Sequence, residues 1–170
     1  MVEIKTPEEI RIMAEGGKIL AKIMKELGKK VKPGIKTLEL NRVAEDLVLA
    51  SGGTCSFKGH EGYPACLCTS INEEIVHAVP SERALKEGDI VSLDLGLFFK
   101  GFHTDMAVTV PVGKINKEIK KLIKITRNSL AVGIKEVKLG NQIGDISRAI
   151  QKYVESQNFN VVRELCGHGI

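Results

Sequence analysis

The chain has 170 residues, of which 43% are hydrophobic and 27% charged, and a formal net charge of +4. This describes one ordinary domain, large enough to bury a core without cross-links. No apolar run approaches the roughly 18 residues of a membrane span, which excludes an integral membrane helix protein, and the balance of 25 basic to 21 acidic residues is too mild to announce a nucleic-acid-binding surface.

The opening "MVEIKTPEEI" has no basic segment leading into an apolar one, so a cytoplasmic protein is expected. Helical periodicity predicts helices near 7–28 and 37–51, joined by a turn at Gly34. Beyond them "TCSFKG", "ACLCTSI", "DIVSLDLGLFF" and "FHTDMAVTV" carry β-branched or alternating patterns with Gly and Pro between them, and read as strands. Helices are expected again near 116–137 and 141–156. In the first of these Ile119, Leu122, Ile123 and Leu130 face inward, while Lys117, Lys120, Lys121, Lys124 and Arg127 form a solvated face. A further strand is expected from about Asn160, in "NVVREL". The four cysteines, Cys55, Cys66, Cys68 and Cys166, form no CxxC pair and no zinc-ribbon spacing, so reduced thiols are expected.

The segment "VKPGIKTLELNRVAEDLV" can be laid without a gap on "VKLGNQIGDISRAIQKYV". Val31 and Val137, Lys32 and Lys138, Gly34 and Gly140, Arg42 and Arg148, and Val48 and Val154 match. Each copy is a glycine-containing turn followed by an amphipathic helix and preceded by another helix, which reads as an internal repeat. The expected organisation is a complete α/β half over about 1–112 and the beginning of a second over about 113–170.

The strongest local signal is "DIVSLDLGLFFKGFHTDMAVTV". Strand alternation puts Val91, Leu93, Leu95 and Leu97 on one face and Ser92, Asp94 and Gly96 on the other, while His103, Asp105, Ala107 and Thr109 share a face of the returning strand. With Lys100-Gly101 as the turn, Asp94 opposes Ala107 and Gly96 opposes Asp105, making the two aspartates diagonal neighbours with room beside Gly96. Two carboxylates held together repel unless a cation lies between them or one takes a proton, so a divalent metal site is one resolution and a solvent-facing pair of unrelated acids is the other. His77, before Pro80, is expected at a strand end or in a loop, and His103 could be a polar neighbour of Asp105.

The spaced set "SINEEIVHAVP", "DIVSLDLGLFFKGFHTDMAVT" and "CGHGI" resembles the type I methionine aminopeptidases along the whole chain. The resemblance implies an α+β pita-bread fold, an antiparallel sheet covered by two helix pairs, with two related halves around a two-metal site. It implies Asp94, Asp105 and His168 as metal ligands, with Asp105 bridging the ions. His77 would contact the substrate near the scissile bond, and Tyr63, Cys68, Phe57 and His60 would line the pocket for the methionine side chain. Ala78 departs from the glycine usual after the substrate-contacting histidine. The family's second active-site histidine and two glutamate ligands have no counterpart in these residues, so the chain reads as C-terminally truncated and is expected to be inactive alone.

The implied reaction is two-metal removal of the initiator methionine from nascent proteins. Cobalt, manganese, iron or zinc would suit the ligands, the substrate would be the N-terminal methionine of a nascent peptide, and the ribosome is a further candidate partner. No membrane partner and no specific nucleic acid are expected. Two other readings stay open: a non-catalytic pita-bread module binding RNA or the ribosome, against which the two close aspartates argue, and another pita-bread hydrolase, such as an Xaa-Pro peptidase.

Overall fold

A computed structural model describes residues 4–169, so Ile170 of the terminal "CGHGI" lies outside the described residues. The chain divides into two compact units that meet in sequence at Ile115 and Asn116. Helix α1 (Pro7–Lys30) starts where Thr6 caps it. Thr6 Oγ1 accepts from the Glu9 amide at 3.3 Å, and the Glu9 carboxylate accepts from the Thr6 amide at 2.6 Å, a reciprocal capping box with Pro7 at the first helical position. Leu20, Ile23, Met24 and Leu27 recur at the spacing of one helical face and are buried. Helix α2 (Thr37–Ala50) follows a turn in which Gly34 takes φ +89°, and buries Leu40, Ala44 and Val48.

The remainder of the first unit is an antiparallel sheet: β1 (Thr54–Cys55), β2 (Leu67–Ile71), β3 (Ile90–Phe99) and β4 (Phe102–Pro111). β4 pairs with β3 from end to end. β1, opposite Leu97 and Phe98, and β2, opposite Val91 to Leu95, therefore lie in file along the other edge of β3. Val91, Leu93, Leu95 and Leu97 are fully buried and form the core with the apolar faces of α1 and α2. The helices thus cover one face of this sheet and leave the Asp94 face to the site. Lys100 and Gly101, with φ of +49° and +89°, make the two-residue turn whose twist matches a β-hairpin.

The second unit contains α3 (Lys117–Lys135) and α4 (Ile143–Ser156). Asn116 caps α3 by accepting from the Ile119 amide at 2.8 Å. The helices approach each other tightly at Gly133, where a Cβ would come within 2.8 Å of Ile150 Cδ1. Among the described residues no helix is long and apolar enough to cross a membrane.

Four expectations need correction. Cys55 and Cys66 are joined in a disulfide instead of being free thiols. The cause is the sheet: β1 ends and β2 begins on the same edge of β3, which brings the two Cα atoms to 5.1 Å. The "NVVREL" segment is irregular and no strand pairs with it among the described residues, because a strand exists only where another completes its ladder. "TCSFKG" keeps only two strand residues before the chain leaves the edge. Leu122 and Leu130, expected to face inward, are both exposed, Leu130 at 63%, and the buried stripe of α3 runs through Ile125, Ser129 and Gly133, because the close approach to α4 uses the small residues.

Candidate active site

The face of the sheet away from α1 and α2 is built by the β3–β4 hairpin. Asp94 pairs with Ala107 and Gly96 with Asp105, so both aspartates project from the same face as diagonal neighbours, with Cα atoms roughly 7–8 Å apart. On the other side of β3, Cys68 pairs with Asp94 and joins the same face. Ser92 and Thr109 share a hydroxyl hydrogen bond of 2.8 Å one step further along.

Gly96 lets a second layer approach. A Cβ there would stand 2.7 Å from both Phe57 Cε1 and Ser56 Cβ, so the chain after β1 lies directly over this position. The Ser56 amide donates to the Gly96 carbonyl at 3.1 Å, and Ser56 Oγ lies 3.0 Å from His103 Nδ1. The His103 ring also packs on Phe98, at 4.6 Å between centroids. His103 therefore ties the loop after β1 to the hairpin beside Asp105. Sequence reasoning weighed His103 only as a neighbour of Asp105 and passed over Ser56, although the alternation that placed Asp105 also places His103 on that face.

Tyr63 is half-buried, with its hydroxyl 3.2 Å from the carbonyls of both Leu67 and Ala78. Burial first, then the Cys68 thiol and the Asp94 charge, push its phenol well above the usual range, so it remains a neutral donor. Burial likewise pushes the Cys68 thiol up, reinforced by Asp94 and Asp105 and opposed by the hydrogen bond with Tyr63. Cys68 is thus a buried, neutral thiol in the wall beside Asp94. The segment after β2 doubles back so that the Thr69 amide donates to Ala78 O at 2.9 Å. His77, just before that anchor, is exposed and left-handed with φ +61°. The left-handed residues of this segment are Asn72 and His77 and not Ala78, which accommodates alanine where glycine was expected. His60 is exposed in a short 3₁₀ turn, His60–Gly62.

Asp94 and Asp105 suit a divalent cation: they are hard oxygen donors of like charge gathered on one face. His168 lies in the second unit, exposed, on the irregular segment after α4. Among the described residues no group of three or more His, Cys, Asp or Glu side chains is assembled to hold a metal. The first unit therefore presents the two carboxylates as a pair on one face of the sheet.

Buried Asn41 supports the site from beneath. Its Oδ1 accepts from the amides of Cys66 and Leu67 at 2.9 and 3.0 Å, fixing where β2 starts. The sequence signal for it was faint, one of two polar residues, with Thr37, on the inward face of α2.

The profile of metallopeptidase family M24 matches residues 11–170. Methionine aminopeptidase 1 of Bacillus subtilis is 48% identical over 170 residues, covering all of this chain and 68% of the relative. The methionine aminopeptidase of Clostridium perfringens is 47% identical over the same coverage. The crystal structure of methionine aminopeptidase from Rickettsia prowazekii superposes with a TM-score of 0.98 at 34% identity, covering all of this chain and 68% of that one.

Proposed function

The chain belongs to metallopeptidase family M24, among its methionine aminopeptidases, and on that premise we propose that Asp94 and Asp105 hold divalent metal for removing the initiator methionine from nascent proteins. The fold is the α+β pita-bread fold of those relatives, and the chain spans about two thirds of their length. The observation that carries the reading is the placement of two aspartates on one face of the β3–β4 hairpin, beside the wall made by Cys68 and Tyr63.

The family is metal-dependent. Divalent ions of cobalt, manganese, iron or zinc, for which Asp94 and Asp105 would be the carboxylate ligands and His168 the expected imidazole ligand, would supply Lewis-acid stabilisation of the scissile carbonyl and an acidified water. The residues of this chain do the rest. Asp94 and Asp105 keep their carboxylates on the face where the substrate's amino terminus would arrive. Phe57, His60, Tyr63 and Cys68 form the walls for the methionine side chain, and the neutral states of Tyr63 and Cys68 keep that wall uncharged. His77, at the turn before Ala78, donates a hydrogen bond to the substrate beside the scissile bond. Synthesis of nascent chains makes the ribosome the natural place of action.

A polypeptide of these 170 residues carries three of the five ligands implied by the resemblance and is inactive alone, because groups that act as a unit leave little activity when several are missing. The test is methionine release from Met-Ala-Ser with Co²⁺ or Mn²⁺, by the chain alone and after adding the remaining third of the Bacillus subtilis relative. Release only on adding that third supports the reading. Release by the chain alone contradicts its inactivity, and cleavage of Ala-Pro in place of Met-Ala contradicts the methionine specificity.

A further inference from the structure

We propose that the Cys55–Cys66 disulfide is a redox-sensitive brace for the loop 56–65, holding it in the shape that receives an apolar side chain, and that reduction by an external dithiol loosens it. This deepens the proposed function and rests on the reading of this loop as the side-chain pocket. The bridged cysteines are separated by 11 positions, and between them lie Phe57, His60 and Tyr63.

Besides the bridge, the loop is anchored near its ends by Ser56, bonded to Gly96 and His103, and by the Tyr63 hydroxyl on the Leu67 and Ala78 carbonyls, and between them by a Lys58–Glu45 ion pair. Its N-terminal root is the two-residue strand β1, paired only with Leu97 and Phe98. Residues 58–62 are all exposed, and Gly59, Glu61 and Gly62 take positive φ values of +89°, +47° and +80°. Few buried apolar contacts and mostly local hydrogen bonds mark a segment of low local stability. The C-terminal root is firm, since Asn41 fixes the amides of Cys66 and Leu67. The disulfide transfers that firmness to the other root, and with it to Ser56 and Phe57 over Gly96.

Access to the bridge is one-sided. Cys66 is fully buried, whereas Cys55 is half-buried, so an incoming thiolate reaches Cys55 Sγ. That attack forms a mixed disulfide with Cys55 and expels Cys66 as a thiolate, which takes a proton. The second thiol of the reductant then displaces Cys55, which also takes a proton, and the reductant leaves as its own disulfide. Cys68 takes no part, because it pairs with Asp94 on one face while Cys55, paired with Leu97, turns to the other.

The experiment compares the chain oxidised in air with the chain held in dithiothreitol. Alkylation of the unfolded oxidised chain, without prior reduction, should label two cysteines, and labelling of four would overturn the proposal. Amide hydrogen exchange at 56–65 should accelerate about tenfold or more on reduction, with 90–111 unchanged. Equal exchange in the two forms would overturn it. A Cys55→Ser variant should exchange like the reduced form and ignore dithiothreitol; should that variant not fold, the titration of the unaltered chain still decides. L-methionine should bind the reduced form at least about tenfold more weakly, and equal binding overturns the pocket role of the brace. Binding to neither form would instead refute the pocket reading, a result separate from the exchange data.

Discussion

Gly96→Ala should damage the site without touching a charged group. The added methyl would stand 2.7 Å from Ser56 Cβ and 2.7 Å from Phe57 Cε1, against the roughly 3.5–4.0 Å at which carbon atoms pack without repulsion. Ser56 cannot easily yield, because its amide is bonded to Gly96 O at 3.1 Å and the preceding Cys55 is bridged to Cys66. Overpacking of this kind costs about 1–3 kcal/mol, a fall of about fivefold to 150-fold in the folded-to-unfolded ratio. The backbone of Gly96 is ordinary strand, so no φ strain is added. Gly17→Ala is the control, since a Cβ there meets nothing within 4 Å and a helical glycine replaced by alanine gains about 0.5–1 kcal/mol. Urea denaturation of both variants gives the comparison, with amide exchange at 56–58 reporting on the displaced loop. Unchanged stability and unchanged exchange in Gly96→Ala would refute the close layer over β3.

Asn41→Ala leaves the buried amides of Cys66 and Leu67 without their acceptor and should cost about 1–3 kcal/mol for each, read as a lower urea midpoint. The Asp89 carboxyl is held below its usual range, chiefly by the Asn72 side chain and also by the Lys86 amide. A carboxylate depressed in the folded state contributes stability above its unfolded pKa of about 3.9, and that contribution is lost as pH falls through the lower folded value. Asn72→Ala should therefore raise the Asp89 titration midpoint towards the ordinary value, measured by NMR of its carboxyl carbon.

The hairpin was legible in the sequence because its two faces differ sharply in polarity and its turn admits one register, which placed Asp94 against Ala107 and Gly96 against Asp105. The two helix–turn–helix segments were legible for a related reason. Gly34 and Gly140 take φ of +89° and +88°, and the N3 carboxylates Glu39 and Asp145 accept from the N-cap amides of Lys36 and Gln142. Val48 and Val154 are each buried at the matching position. What escaped depended on neighbours far along the chain. The disulfide follows from β1 and β2 sharing an edge of β3, which no local pattern around Cys55 or Cys66 encodes. The reach of Ser56 to His103 depends on the same edge, and "NVVREL" has strand-like composition without the partner that makes a strand.

The central claim is that Asp94 and Asp105 together hold a divalent ion. Its most direct test is Mn²⁺ titration of the ¹⁵N-labelled chain, following paramagnetic broadening of amide signals, with the Asp94→Asn/Asp105→Asn double variant alongside. Broadening that centres on 68, 93–96 and 104–107 and disappears in the double variant is the predicted result. Broadening that centres elsewhere, or that persists unchanged without the two carboxylates, would contradict the assignment.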